Sequence, residues 1–389
     1  MAITTRRPRS QRRRLNGFTL IELLVGMALG LITTVIIAQV IVTADGNRQT
    51  TTTGNDAQVN GALALYTLNR EVQGAGYGLI SHSAGLGCPI RAKFGNSAEL
   101  SDLLLAPVTL VTTNGVLRVR TLTAGRSSFA VPMSIKADHA QGGSSFTVNA
   151  TMGVNLNDVM IAVPAAWKRA DASLWQDADM WCTAFQAAAN VATTLTDTAV
   201  PHVPAATSWN PAVASTLMPK DGYAAGSYLV NLGSLVLREF WLQNQNLMMR
   251  ELKSDGTWDT EQTVATGIVA MQALYGKDTS TTKDGIVDVY NATAPSSADD
   301  WARVLTVRVA LVARSSTREK EAVTTTDPRW DVGKSAAVTG SAACPDDAER
   351  QCLTLTAPRA NVNDTEWQHY RYKVYDTVSP LRNVLWSAV

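Results

Sequence analysis

From Phe18 to Ala44 the chain runs through 27 residues in which Glu22 is the only charge. An apolar run of that length predicts a helix of about 40 Å, at about 1.5 Å per residue, against roughly 30 Å for the hydrocarbon core of a bilayer. The segment is expected to span a membrane. A polar patch follows (Asp45-Gly46-Asn47-Arg48-Gln49), then four consecutive threonines, Thr50 to Thr53, before Ala62, Leu65, Leu68 and Val72 restore an apolar stripe at helical spacing. The helix is expected to continue across the patch and to rest its second half on a folded domain. Gly46, Gly54 and the threonines cost up to about 1 kcal/mol each relative to alanine, so the join is its weak point. Gly74-Ala75-Gly76-Tyr77-Gly78 should end it, because glycine tolerates the left-handed conformation of a helix terminus.

After that break the period changes. Val116 to Arg120, Ser128 to Ile135, Val159 to Val163, Ser234 to Gln243, Leu247 to Leu252 and Val304 to Val312 read as strands, several with alternating faces and turn residues between them. Gln243-Asn244-Gln245-Asn246 joins two of these runs as a hairpin. The alanine-rich Gln186 to Asn190 and the proline-rich stretch from Pro201 to Pro219 read as a loop-rich insertion around 165–225. There is no fixed-period repeat. The expected fold is α+β: a long amino-terminal helix, 18–73, with its membrane span at 18–44, packed on antiparallel sheet within a β-rich domain, 74–389.

Composition adds topology. Residues 1–17 carry Arg6, Arg7, Arg9, Arg12, Arg13 and Arg14 and no acid, so the positive-inside bias keeps them in the cytoplasm and sends the remainder outward. Without those six arginines the formal net charge falls from +1 to −5, and no basic excess remains for nucleic acid. The remainder is long enough, and with ten tryptophans apolar enough, to bury a core. Cys88, Cys182, Cys344 and Cys352 all follow the membrane segment, which favours two disulfides among three possible connectivities. Cys344 and Cys352 make the easiest pair across Pro345-Asp346-Asp347, leaving Cys88 with Cys182. Neither CxxC nor HxxxH spacing is present for zinc, and no metal or other cofactor is expected.

The opening Gly17-Phe18-Thr19-Leu20-Ile21-Glu22 resembles the class III signal of type IV prepilins, in which a dedicated peptidase cuts after the glycine and N-methylates the new first residue. That resemblance implies a cleaved leader, 1–17, a methylated terminus at Phe18, and Glu22 as the fifth mature residue. Leu68 to Tyr77 is similar to the helix end of the PilW family of minor pilins. Met271 to Gly276, Asp284 to Asp288, Trp301 to Val304 with Val307 to Leu311, and Leu381-Arg382-Asn383 follow that family's pattern in order, whereas Gly95 to Ala225 matches nothing in it. Major pilins commonly carry a helix-bending proline, but this chain has Gln39 and no proline between Phe18 and Val72.

Membership would imply a subunit of the inner membrane and then of a surface pilus. It would prime assembly near the tip, with other minor and major pilins, the prepilin peptidase, an inner-membrane assembly platform and a tip adhesin as partners. A type II secretion pseudopilin shares the processing motif and the helix-on-sheet design. From another class comes an adhesive module that uses Gly95 to Ala225.

A carboxylate in an apolar helix needs a partner, and the methylated amine of a neighbouring subunit's Phe18 would supply one for Glu22. Gly26 and Gly30 lie four and eight residues beyond Glu22, on the same helix face, and form a GxxxG pattern that permits close helix approach. The acidic turn from Asp278 to Asn291 resembles a degraded calcium loop, with Thr282 and Ser280 where carboxylates would stand and Asn291 in place of a bidentate glutamate. His82, His139, His202 and His369 stand singly, with no HExxH, GxSxG or Walker loop, so no enzyme is expected. Trp167, Trp175 and Trp181 suit core packing, with a sugar platform as their other use.

Overall fold

A computed structural model describes residues 18–79, 85–125, 132–165, 180–211, 217–334, 336–361 and 363–387. The expected leader, the Gly17 cleavage residue, His82, Trp167, Trp175 and part of the expected strand at Ser128 lie outside them. The first helix, α1, runs Leu20–Gly74. The chain divides into two compact units between Thr53 and Gly54, at the glycine- and threonine-rich join where the sequence places the weak point.

In the first unit the apolar side chains described from Phe18 to Val42 are exposed. In the second unit, α1 from Gly54 onward buries Ala57, Gly61, Ala64, Leu68 and Val72 along one side. That three-and-four spacing is the apolar stripe of an amphipathic helix, and its small members let the helix lie close to the sheet. A Cβ at Gly61 would stand 2.3 Å from Cε2 of Tyr375, so the ring occupies the space glycine leaves. Polar ties flank this contact: Asn60 Nδ2 donates to Thr266 Oγ1 at 3.0 Å, Ser379 Oγ to Asn69 Oδ1 at 2.6 Å, and Arg238 pairs with Glu71 at 2.7 Å. Gly76 (φ 81°) and Gly78 (φ 75°) make the turn that ends the helix.

Three larger sheets follow among the described residues. One is five-stranded and wholly antiparallel, in the order Gln262–Thr266, Asn246–Glu251, Leu235–Gln243, Val116–Ala124, Val108–Thr113. Its hairpin turns through Asn244 and Gln245, both at positive φ, where the sequence places it. A second five-stranded sheet centres on Ile268–Lys277 between Val289–Asn291 and Val304–Arg314, with Tyr372–Pro380 on one edge and Ala337–Val338 on the other. The third, six-stranded, has the order Leu100–Leu104, Pro89–Ala92, Cys182–Gln186, Val159–Val163, Tyr228–Gly233, Met133–Ser134. The architecture is α+β, with an apolar amino-terminal helix and a domain rich in antiparallel sheet.

The loop-rich insertion expected around 165–225 carries two short strands where it is described. Cys182–Gln186 is a buried strand pairing parallel to Pro89–Ala92 and antiparallel to Val159–Val163, and Ala199–Pro201 pairs with Ser145–Thr147. Helix α1 ends one residue later than the expected Gln73.

Both expected disulfides form. Cys88–Cys182 closes a separation of 94 residues and ties two neighbouring strands of the six-stranded sheet, while Cys344–Cys352 closes one of 8 across a small three-stranded sheet. Glu239 is wholly buried and is held by three arginines, Arg120 and Arg250 on the flanking strands and Arg118 at 3.2 Å. A buried carboxylate without such partners would be strongly destabilising.

Candidate functional site: the amino-terminal helix

The site builds up from the first helical turn. Thr19 precedes the helix, and its Oγ1 accepts the Glu22 N–H at 3.3 Å. Glu22 Oε2 in return accepts the Thr19 backbone N–H and the Thr19 hydroxyl, each at 2.9 Å. This is a capping box, a reciprocal pair that satisfies amide donors the first turn leaves without helical partners. The sequence signal, threonine followed three residues later by glutamate, was present but was not read as a cap. Both hydrogen bonds to the carboxylate end on Oε2, and Oε1 has no hydrogen-bond partner among the described residues.

Beyond this turn, Leu20 to Ala44 is long and apolar enough to cross a membrane, with none of it buried within the protein. Phe18 is 89% exposed. A Cβ at Gly26 or Gly30 would meet nothing within 4 Å, so the close approach that GxxxG allows is not used inside the chain. Thr33, Thr34 and Thr43 return their hydroxyls to the helix, to the Leu29, Leu31 and Gln39 carbonyls. The apolar surface of this segment has no cover within the protein. Such a surface takes its partners from outside the chain, from lipid or from other apolar helices.

The other candidates take structural places. Asp278 is buried. Burial raises its pKa, but backbone donors from Gly285, Asp284 and Ser280, with Arg303 nearby, outweigh that and lower it below the usual carboxylate range. Asp288 accepts from Thr279 and Ser280, and Asn291 accepts from Lys277 at 2.8 Å. The turn is thus closed by its own donors, and no group of three potential metal ligands occurs among the described residues.

His139 and His202 do not stand singly: their Nε2 atoms lie 2.9 Å apart in a buried cluster, with the Phe146 ring stacked on His139 at 3.9 Å. A Cβ at Gly143 would sit 2.7 Å from His139 Nε2, so the pair is tightly enclosed. His369 Nδ1 lies 3.0 Å from the Glu319 carbonyl. Trp181 donates to the Leu217 carbonyl beneath the Arg91 guanidinium, a packed position.

Comparison with known proteins meets the chain at both ends. Residues 12–38 match the model of the prokaryotic N-terminal methylation motif, and residues 234–383 match that of the type IV pilus-assembly protein W. The first match contains Gly17, Phe18, Glu22, Gly26 and Gly30. The second begins at the hairpin of the first five-stranded sheet and ends in the carboxy-terminal helix, Arg382–Ser387, leaving the whole six-stranded sheet outside it. Neither the search of curated proteins nor that of solved structures returned a match. A prepilin methylation motif on one side and a region similar to the type IV pilus-assembly protein W on the other support reading the chain as a type IV pilus minor pilin.

Proposed function

We propose that the chain is cut after Gly17 and methylated at Phe18, waits in the inner membrane with its domain on the periplasmic side, and enters the minor-pilin complex that primes the pilus near its tip. The observation that carries this reading is the fully exposed apolar helix with Glu22 as its one carboxylate. In a bilayer the helix is solvated by lipid, and in a filament by the helices of neighbouring subunits. Gly26 and Gly30 offer the strip along which such a helix can come close. Glu22 Oε1, free of the capping box, can accept the methylated ammonium of a neighbour's Phe18 without dissolving the cap. In a medium of low dielectric that pair sets register as well as affinity. Partners follow from the same reading: other minor and major pilins, the prepilin peptidase, the assembly platform and a tip adhesin. No turnover is involved. The PilW match favours a pilus over a secretion pseudopilus.

Glu22→Ala tests the register role. Cleavage and insertion should continue, because the apolar run loses its only charge, while the share of the protein in sheared pili relative to the membrane pool should drop at least tenfold. Glu22→Asp should fall between, its carboxylate being one methylene short. Wild-type incorporation of Glu22→Ala would sink the idea.

A further inference from the structure

A cleft of about 1130 Å³ opens where the Asn155–Val159 turn, Gln186 and Trp209 face Ser234–Val236 and the chain from Glu251 to Asp255, with Tyr77 on its wall. It joins the part of the domain outside the PilW match to the part inside it. Its volume is at the upper end of what single small ligands occupy, so it suits a chain of several linked units.

The carboxylates in its wall are already used. Asp158 accepts from the Asn155 N–H at 2.8 Å and from Asn231 Nδ2 at 2.9 Å; Glu251 pairs with Arg238 at 2.7 Å; Asp255 accepts from both the N–H and the hydroxyl of Thr257 and lies within electrostatic reach of Lys253. Without a hydrogen-bond partner among the described residues are neutral groups, the side-chain amides of Asn155 and Asn157 and the hydroxyls of Ser234 and Ser254, together with a single cation, Lys253. Asn157 holds a left-handed backbone (φ 76°), a conformation asparagine tolerates better than most residues, and this fixes the turn that carries both amides. Tyr77, 53% exposed, adds an aromatic ring.

We propose that this cleft binds a neutral oligosaccharide. Free amides and a hydroxyl match sugar hydroxyls, which both donate and accept, and an aromatic ring matches the apolar face of a pyranose. Nucleic acid would need several unpaired cations, and Lys253 is the single cation among the lining residues. The inference gives the region from Gly95 to Ala225 a ligand class, and it uses no residue of the membrane-spanning helix.

The test uses the full chain in a sugar-free zwitterionic detergent, titrated by calorimetry with maltohexaose, cellohexaose and chitohexaose, and with a short DNA duplex for comparison. At least one hexaose should bind at concentrations up to about 5 mM. Tyr77→Ala and the double variant Asn155→Ala/Asn157→Gly, in which glycine keeps the left-handed turn, should each weaken that binding at least tenfold, whereas Tyr77→Phe should keep it. Both disulfides, the melting temperature and incorporation into sheared pili should be unchanged, which separates this proposal from the assembly role. Absence of hexaose binding by the wild type, equal binding by the variants, or binding of the duplex alone would overturn it.

Discussion

The residues before Thr53 and those after Gly54 solve opposite problems with the same backbone. In the first unit the described apolar side chains are uncovered, and the carboxylate of the apolar run, Glu22, is tied within its own turn to Thr19. In the second, the apolar stripe of α1 is covered by sheet, and a carboxylate at 0% exposure, Glu239, is held by three arginines from neighbouring strands. A segment built for lipid and for other helices leaves its apolar groups open and satisfies its polar groups locally. A segment built for water does the reverse, satisfying its polar groups at long range because folding brings strands together. Substitutions of like chemistry should therefore differ in effect between the units.

The largest expected effect on folding lies in the second unit. Cys88→Ser removes a closure of 94 residues and should cost roughly 4–5 kcal/mol on the loop-entropy scale, while Cys344→Ser, with a separation of 8, should cost roughly 2–3 kcal/mol. Denaturant midpoints of the two variants give the order directly; equal losses would mean that native packing around the cystines, rather than loop length, sets their worth.

Leucine truncation draws the contrast between the units more sharply. Leu68→Ala, at 0% exposure beneath the sheet, should destabilise the domain by about 2–5 kcal/mol. Leu24→Ala, at 53% exposure in the apolar segment, should leave the domain's melting temperature unchanged and show itself only in membrane retention or filament incorporation. A shift in domain melting with Leu24→Ala would contradict the division into two independently satisfied units.

A smaller effect should follow pH. Burial lowers the pKa of His139 from 6.5 to about 4; burial, and then the neighbouring His139, lower that of His202 to about 3. The folded protein thus binds fewer protons than the unfolded chain between those values. The stability this provides is complete above pH 6.5 and erodes as pH falls toward 4 and 3. The melting temperature at pH 5 should lie on the order of a few degrees below that at pH 7.5. His202→Phe should flatten the dependence, and an unaltered slope would show that other groups cause it.

The smallest effect separates the two tasks of Glu22. Thr19→Val removes the cap and keeps the carboxylate, at a cost to the helix start of about 0.5–2 kcal/mol. It should leave incorporation into sheared pili near the wild-type level, unlike Glu22→Ala. Equal loss in both would assign Glu22 to capping alone.

Much of this contrast was legible from residue patterns. The apolar run, the stripe through Leu68 and Val72, and the strands at Val116, Val159 and Val304 rest on local periodicity, and the structure places helix and strands there. The misses were of another kind. Cys182–Gln186 is short and borders alanines, and it becomes a strand through a parallel neighbour some ninety residues earlier in the chain, about which local pattern is silent. His139 and His202 look solitary for the same reason: their hydrogen bond spans 63 positions. The edge strand Tyr372–Pro380 alternates only weakly because one side meets α1 and much of the other meets water. Only the capping box at Thr19 and Glu22 was both local and overlooked.

The central claim, that an apolar helix anchors and then assembles a minor pilin, is tested most directly at the mature amino terminus. Protein from sheared pili and from the membrane pool should be digested and its first peptide measured by mass spectrometry. The account predicts N-methylated Phe18 in both fractions. An intact leader in cells with an active prepilin peptidase, or a terminus beyond Ala44 that discards the helix, would contradict it.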